Sequence, residues 1–123
     1  MYTEIFFRAE VDEDAYTEML YSNEHSRVMG SGSSYFPEVE PTGPRFYHDT
    51  RYNHYNVEFR SSLKNYDGEI EDFFAWVAPH CVAPNTAGGF IGYSLYEESR
   101  YPTLFFADGS KTKTKIKEAP YGR

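Results

Sequence analysis

The chain of 123 residues holds one cysteine, Cys81, which excludes an internal disulfide and any cysteine-rich zinc site. It has no apolar run near the roughly 18 residues that cross a bilayer. Its opening, MYTEIFFRAE, lacks the basic region and long apolar stretch of a secretory signal. These absences lead us to expect a soluble, cytoplasmic domain with no membrane partner. Lysine is missing from Met1 through Leu63. Gly30-Ser31-Gly32-Ser33-Ser34 therefore does not fit a phosphate-binding P-loop, which needs Gly-Lys-Ser/Thr opening a helix. Pro37 soon follows, and a flexible loop is the expectation there.

Aromatic side chains are plentiful, at 19% of residues with 12 Tyr and 10 Phe, against 25% charged. A chain of that profile can fill a core and is not the low-aromatic, highly charged type that stays disordered. Its length suits one domain, burying roughly two-thirds of the surface exposed when unfolded. The net charge is −7, unevenly placed. Residues 111–123 carry Lys111, Lys113, Lys115, Lys117 and Arg123 against Glu118, a net of +4, so residues 1–110 carry −11. The expected organisation is a single acidic α+β domain over 1–110 and a basic tail or edge strand over 111–123. An acidic body repels phosphate backbones, which argues against duplex nucleic acid. The same field speeds encounter with a protein that presents a basic surface.

Period-2 alternation predicts a strand over Tyr2–Val11, with Thr3, Ile5, Phe7, Ala9 and Val11 inward and Glu4, Arg8 and Glu10 outward. Phe6 interrupts the polar side. Asp12 is the expected N-cap of a helix with acids in its first turn and an apolar stripe of Ala15, Met19 and Leu20, ending near Asn23. Residues 24–44 read as irregular, with short strands around Tyr35 or Val39 as an option. Phe46–Leu63 reads as one long strand, or two with a bend at Asp49–Arg51. Its odd residues from Asn53 to Leu63 are expected to face the core, and Tyr52, His54, Asn56, Glu58 and Arg60 to face water. Asp67 is the expected cap of a second helix whose Ile70, Phe73, Phe74 and Val77 form one face, with Trp76 beside it and Pro79 ending it. A loop at 84–89 precedes an antiparallel hairpin, Phe90–Tyr96 with Thr103–Ala107. The order β-α-β-β-α-β-β implies an α+β fold: an antiparallel or mixed sheet with two helices packed on one face, a class that includes the ferredoxin-like topology.

No credible catalytic set emerges. His48 and His54 would lie roughly 20 Å apart on a straight strand, too far to share a metal unless the chain bends at Asp49–Arg51. His80 and Cys81 are neighbours on extended chain and point apart. Glu97 and Glu98, near Asp108, read as solvated turn acids. We expect no metal and no cofactor. The best candidate for ligand or partner binding is the set Tyr52, His54, Asn56, Glu58 and Arg60. Rings beside hydrogen-bonding groups can stack on a base and read its edge, and Arg45, Arg51 and Arg100 are candidates to add phosphate contacts.

Two segments, Leu63-Lys64-Asn65-Tyr66-Asp67-Gly68-Glu69-Ile70-Glu71-Asp72-Phe73-Phe74-Ala75-Trp76-Val77-Ala78-Pro79 and Phe90-Ile91-Gly92-Tyr93-Ser94-Leu95-Tyr96-Glu97-Glu98 with Pro102-Thr103-Leu104-Phe105-Phe106, resemble a group of small uncharacterised proteins encoded by phages and prophages. The resemblance covers the C-terminal half and supplies no catalytic residues. It implies a non-catalytic protein acting in the host cytoplasm, one that binds and blocks a host factor such as a bacterial defence component. Two other readings stand beside it: a binder of a small nucleotide signal, and a small enzyme using His48 and His54. A homodimer is compatible with either binding reading, since apolar strand faces and Phe6 need cover.

Overall fold

The computed structural model describes residues 2–30, 42–82 and 89–113. The expectations for 31–41, for 84–88 and for the tail beyond Lys113 lie outside the described residues. The elements are β1 (Thr3–Val11), α1 (Glu13–Tyr21), α2 (Ser26–Met29), β2 (Thr42–Asp49), β3 (His54–Leu63), α3 (Glu69–Val77), a 3₁₀ turn (Ala78–His80), β4 (Phe90–Tyr96), β5 (Thr103–Phe106) and β6 (Lys111–Lys113). The fold is α+β. All six strands join one antiparallel sheet in the order β2-β3-β1-β4-β5-β6.

β1 is the axis of this sheet. Its alternation sends Thr3, Ile5, Phe7, Ala9 and Val11 into the core. Register pairs Ile5 with Ser61, Phe7 with Phe59 and Ala9 with Val57, so the odd residues of β3 share that face. On its other side Phe7 pairs with Gly92, and Gly92 with Phe105. The helices add Ala15, Met19, Val28, Met29, Ile70, Phe73, Phe74 and Val77 to the same cluster. Phe73 lies edge-on to Phe7 at 5.2 Å and to Phe59 at 5.5 Å, while Phe74 stacks on Phe105 at 3.9 Å. Ser61, polar but buried, donates its hydroxyl to the Val28 carbonyl.

Local chemistry fixes the helix ends. The Ala15 N–H donates to Asp12 Oδ1 at 2.9 Å, the expected cap of α1. At α3 the expectation needs correcting. Gly68, at φ 70°, takes the N-cap position, and Asn65 rather than Asp67 supplies the acceptor, its Oδ1 receiving the Ile70 N–H at 2.9 Å. Residues 24–30 are also more ordered than the sequence suggested. Helix α2 is too short to show a 3.6-residue period, yet it buries Val28 and Met29. β2 likewise starts at Thr42 and runs through Pro44, which is tolerable because β2 is an edge strand.

The outer face, opposite the helical residues, is not uniformly polar. Phe90 and Leu104 are buried there, with Phe6, Tyr93 and Phe106 packed around them. Phe6 thus finds its cover in Tyr93, whose ring stacks on it at 5.6 Å, and in Arg60, whose guanidinium sits 5.6 Å above it.

Candidate functional site

The candidate residues fall at the other end of the outer face. Four of them, His54, Asn56, Glu58 and Arg60, alternate along β3 on that side, opposite the buried Val57, Phe59 and Ser61. Tyr52 does not belong to the strand. The chain turns at 50–53 and pairs Asp49 with His54, so the bend is a hairpin and Tyr52 sits at its tip. Its ring is 63% exposed, lies 6.1 Å from His54 and has the Arg51 guanidinium 5.8 Å away. Asn53, expected to face inward, takes φ 59° in the same turn, and its Oδ1 accepts a hydrogen bond from His48 Nε2 at 3.0 Å.

Register completes the constellation. Glu58 lies between Arg8 of β1 and Arg45 of β2, and Asn56 between Glu10 and Tyr47. Arg60 stands 3.7 Å from Glu4, whose other contact is the Tyr93 hydroxyl, donating at 2.8 Å. Arginine and carboxylate thus alternate across the Arg8–Glu58–Arg45 row, and Arg8, Arg45 and Arg60 against Glu4, Glu10, Glu58 and Asp49 leave the polar half close to neutral. Sequence reading missed Tyr47, which is 62% exposed beside Asn56. The alternation Arg45-Phe46-Tyr47-His48 carried that information. Arg100 belongs to the β4–β5 connection, beyond β1, and does not join this group.

The hairpin separates the two histidines that proximity in sequence brought together. His48 shares a face with Phe46 and stacks on Tyr55 at 4.1 Å, whereas His54 lies on the outer face. Among the described residues no group of three or more His, Cys, Asp or Glu could hold a metal ion. His80 turns away from Cys81 to meet Asp12 Oδ2 at 2.8 Å. Burial pushes the Cys81 thiol up to about 12, which leaves it a poor nucleophile. Glu97 and Glu98 are exposed in the turn after β4, as expected of solvated acids.

The helical side carries the negative charge. Asp12, Glu13, Asp14, Glu18 and Glu24 belong to α1 and its flanks, and Asp67, Glu69, Glu71 and Asp72 to α3 and its start. Among the described residues, Arg27 and Lys64 stand against these nine, with Lys111 and Lys113 on the same side at the β6 edge, opposite Phe105 and Thr103. Arg27 is committed: its Nε and Nη2 donate to the two Glu69 oxygens at 2.7 and 2.9 Å. Around α1, a shallow depression is lined by Glu13, Asp14, Glu18 and Glu24 with Tyr21, which is 78% exposed.

No protein-family model, curated protein or solved structure matches the chain. No helix among the described residues is long and apolar enough to cross a membrane.

Proposed function

We propose that this chain is a non-catalytic binding protein that blocks a host factor by covering a basic surface of that factor, in the manner its resemblance to small phage proteins implies. One observation carries the reading. Among the described residues the acids gather on the helical side, nine carboxylates around α1 and α3 against Arg27, Lys64 and the two β6 lysines, Lys111 and Lys113, while the outer face of the sheet is balanced. Such an asymmetric field orients and accelerates approach to a positive surface, and it weakens with salt. Exposed Tyr21 within the acidic depression adds an aromatic contact that suits a lysine or arginine side chain. We further infer a ferredoxin-like unit with α1 and α3 packed on one face. Its support is the element order β-α-β-β-α-β over β1 to β4 and their spatial order β2-β3-β1-β4, with β5 and β6 appended.

The test is affinity capture from a lysate of the host bacterium. The bait is compared with a variant carrying Asp14→Lys, Glu24→Lys and Asp72→Lys, all exposed positions. A basic protein captured by the parent at low salt, and lost from the variant, is the expected result. Capture that the variant retains, or no capture at any salt concentration, overturns the reading.

A second reading, a nucleotide ligand on the outer face, draws on Tyr52, His54, Asn56, Glu58 and Arg60 with Arg8, Arg45 and Tyr47 beside them. A panel of nucleotides in thermal-shift assays checks it, because a ligand that binds only the native state raises the melting temperature. A flat response removes it.

A further inference from the structure

The edge strand β2 carries a charge pattern of its own. On one side β2 pairs with β3, and no described strand lies on the other. Its outer-face residues are those opposite Glu58, Asn56 and His54, namely Arg45, Tyr47 and Asp49. A positive, an aromatic and a negative residue thus occur at i, i+2 and i+4 on one exposed edge. That order is self-complementary under a two-fold axis.

We propose that two copies of this chain associate edge to edge through β2, antiparallel, with the two-fold axis at Tyr47. A two-fold perpendicular to the sheet keeps both outer faces on one side, so only residues of like face can meet. Centred on Tyr47, it sets Arg45 opposite Asp49 of the second copy and Asp49 opposite Arg45 of the second copy. On the core side Phe46 meets His48 of the second copy. These two rings, with Tyr16 and Tyr55, form a half-buried aromatic group at the margin of the core, Tyr16 lying edge-on to Phe46 at 5.6 Å. Pairing covers that margin. The charge order also continues across the join: Arg8, Glu58 and Arg45 of one copy, then Asp49 and His54 of the other.

Alternative registers lose this. An axis at Arg45 or at Asp49 brings like charges together, and an axis at Phe46 or His48 leaves Arg45 without Asp49. The opposite edge of the sheet behaves differently. In β6 an axis at Thr112 would oppose Lys111 to Lys113, both exposed. Lysines so placed guard an edge against pairing. The sheet therefore has one guarded edge and one self-complementary edge.

The contact is short, about five residues or 17 Å per strand, which belongs to the weak and transient class of interface. Sedimentation equilibrium of the full chain at concentrations up to about 1 mM reads it directly. Parent protein is expected to dimerise. Arg45→Asp alone and Asp49→Arg alone should each weaken the dimer about tenfold, as like charges then face each other at two symmetric positions. The double swap should recover most of the loss, because the swapped charges again oppose. Asp49 Oδ1 also accepts the Arg51 N–H at 3.0 Å, so its replacement disturbs the turn. Tyr47→Lys supplies the independent check. It alters an exposed side chain, sets two ammonium groups at the axis, and should abolish dimerisation while leaving the melting temperature of the monomer unchanged. A parent that stays monomeric throughout, a double swap that folds but gains nothing over the singles, or a Tyr47→Lys protein that still dimerises overturns the proposal.

Discussion

Gly92 sits in the middle of β4, between Phe7 of β1 and Phe105 of β5, and its missing side chain is the space in which Phe74 lies. A methyl group added there would stand 2.1 Å from the Phe6 carbonyl oxygen and 2.9 Å from Phe74 Cζ. Carbon contacts are comfortable near about 3.5–4.0 Å. The Phe74 ring would have to retreat by most of an ångström from a stacked pair only 3.9 Å apart. The carbonyl is worse, because it belongs to a strand paired on both sides. Overpacking typically costs about 1–3 kcal/mol, and a clash with central backbone belongs at the upper end. We expect Gly92→Ala to lower stability by about 3 kcal/mol, or roughly 12 °C in melting temperature for a chain of this size. Urea unfolding followed by circular dichroism measures it. Adding Phe74→Leu should recover little, since shrinking the ring leaves the carbonyl where it is. A loss below about 1 kcal/mol, or full rescue by Phe74→Leu, would show that β1 and β4 yield and that the close approach is not what demands glycine.

Asn65→Ala should cost about 1 kcal/mol, the usual worth of a helix cap, since it removes the acceptor of the Ile70 N–H, whereas Asp67→Ala should cost less than half of that; thermal melts of the pair decide which residue starts α3. Stability should also fall in acid. Hydrogen bonding and charge from Arg27 hold the Glu69 carboxyl below its ordinary range, and at Asp12 the hydrogen bonds from Ala15 and His80 outweigh an opposing burial effect with the same result. A carboxyl lowered in the folded state contributes stability above its unfolded pKa, about 4, and loses that contribution as pH falls through the lower folded value. Urea midpoints taken between pH 6 and pH 2.5 should drop over that interval, and Glu69→Gln should flatten part of the drop; a parallel curve for the variant would refute the assignment.

Much of the sheet was legible because β1, β3 and α3 are long enough to display a period. Ile5, Phe7 and Val57 alternate, and Ile70, Phe73, Phe74 and Val77 recur at helical spacing, so burial followed from pattern alone. What escaped was decided by contacts distant in sequence. Val28 and Met29 form a single turn, and their burial depends on β3, through Ser61 and through the Gly30 backbone against Ser61 Cβ. Asp67 looked like a cap because its residue type favours caps. The acceptor came instead from Asn65, which also donates its side-chain amide to Glu71 Oε1 at 2.8 Å. Tyr52 looked like part of the β3 face because its number is even. The 50–53 turn ends the alternation two residues too early for it.

The outer face shows how that same limit bears on function. Alternation alone makes every even residue of β1 and β3 wet, which would give a broad surface for a ligand or partner. Instead the half over β4 and β5 is closed by Phe90 and Leu104, with Phe6, Tyr93 and Phe106 around them. The polar remainder is the part over β2, β3 and the far end of β1, where Arg8, Glu58 and Arg45 alternate in charge from strand to strand and both signs are mixed. Alternating charge of this kind satisfies itself and projects little field beyond about a Debye length, roughly 8–10 Å. The helical side has the opposite arrangement, one sign of charge over two helices. A partner drawn from a distance should therefore meet α1 and α3 first, whereas the short-range pattern on β2 suits a contact that depends on register. On this reasoning salt should weaken capture of a basic partner much more steeply than it weakens β2 pairing, because only the former draws on the summed field of the chain.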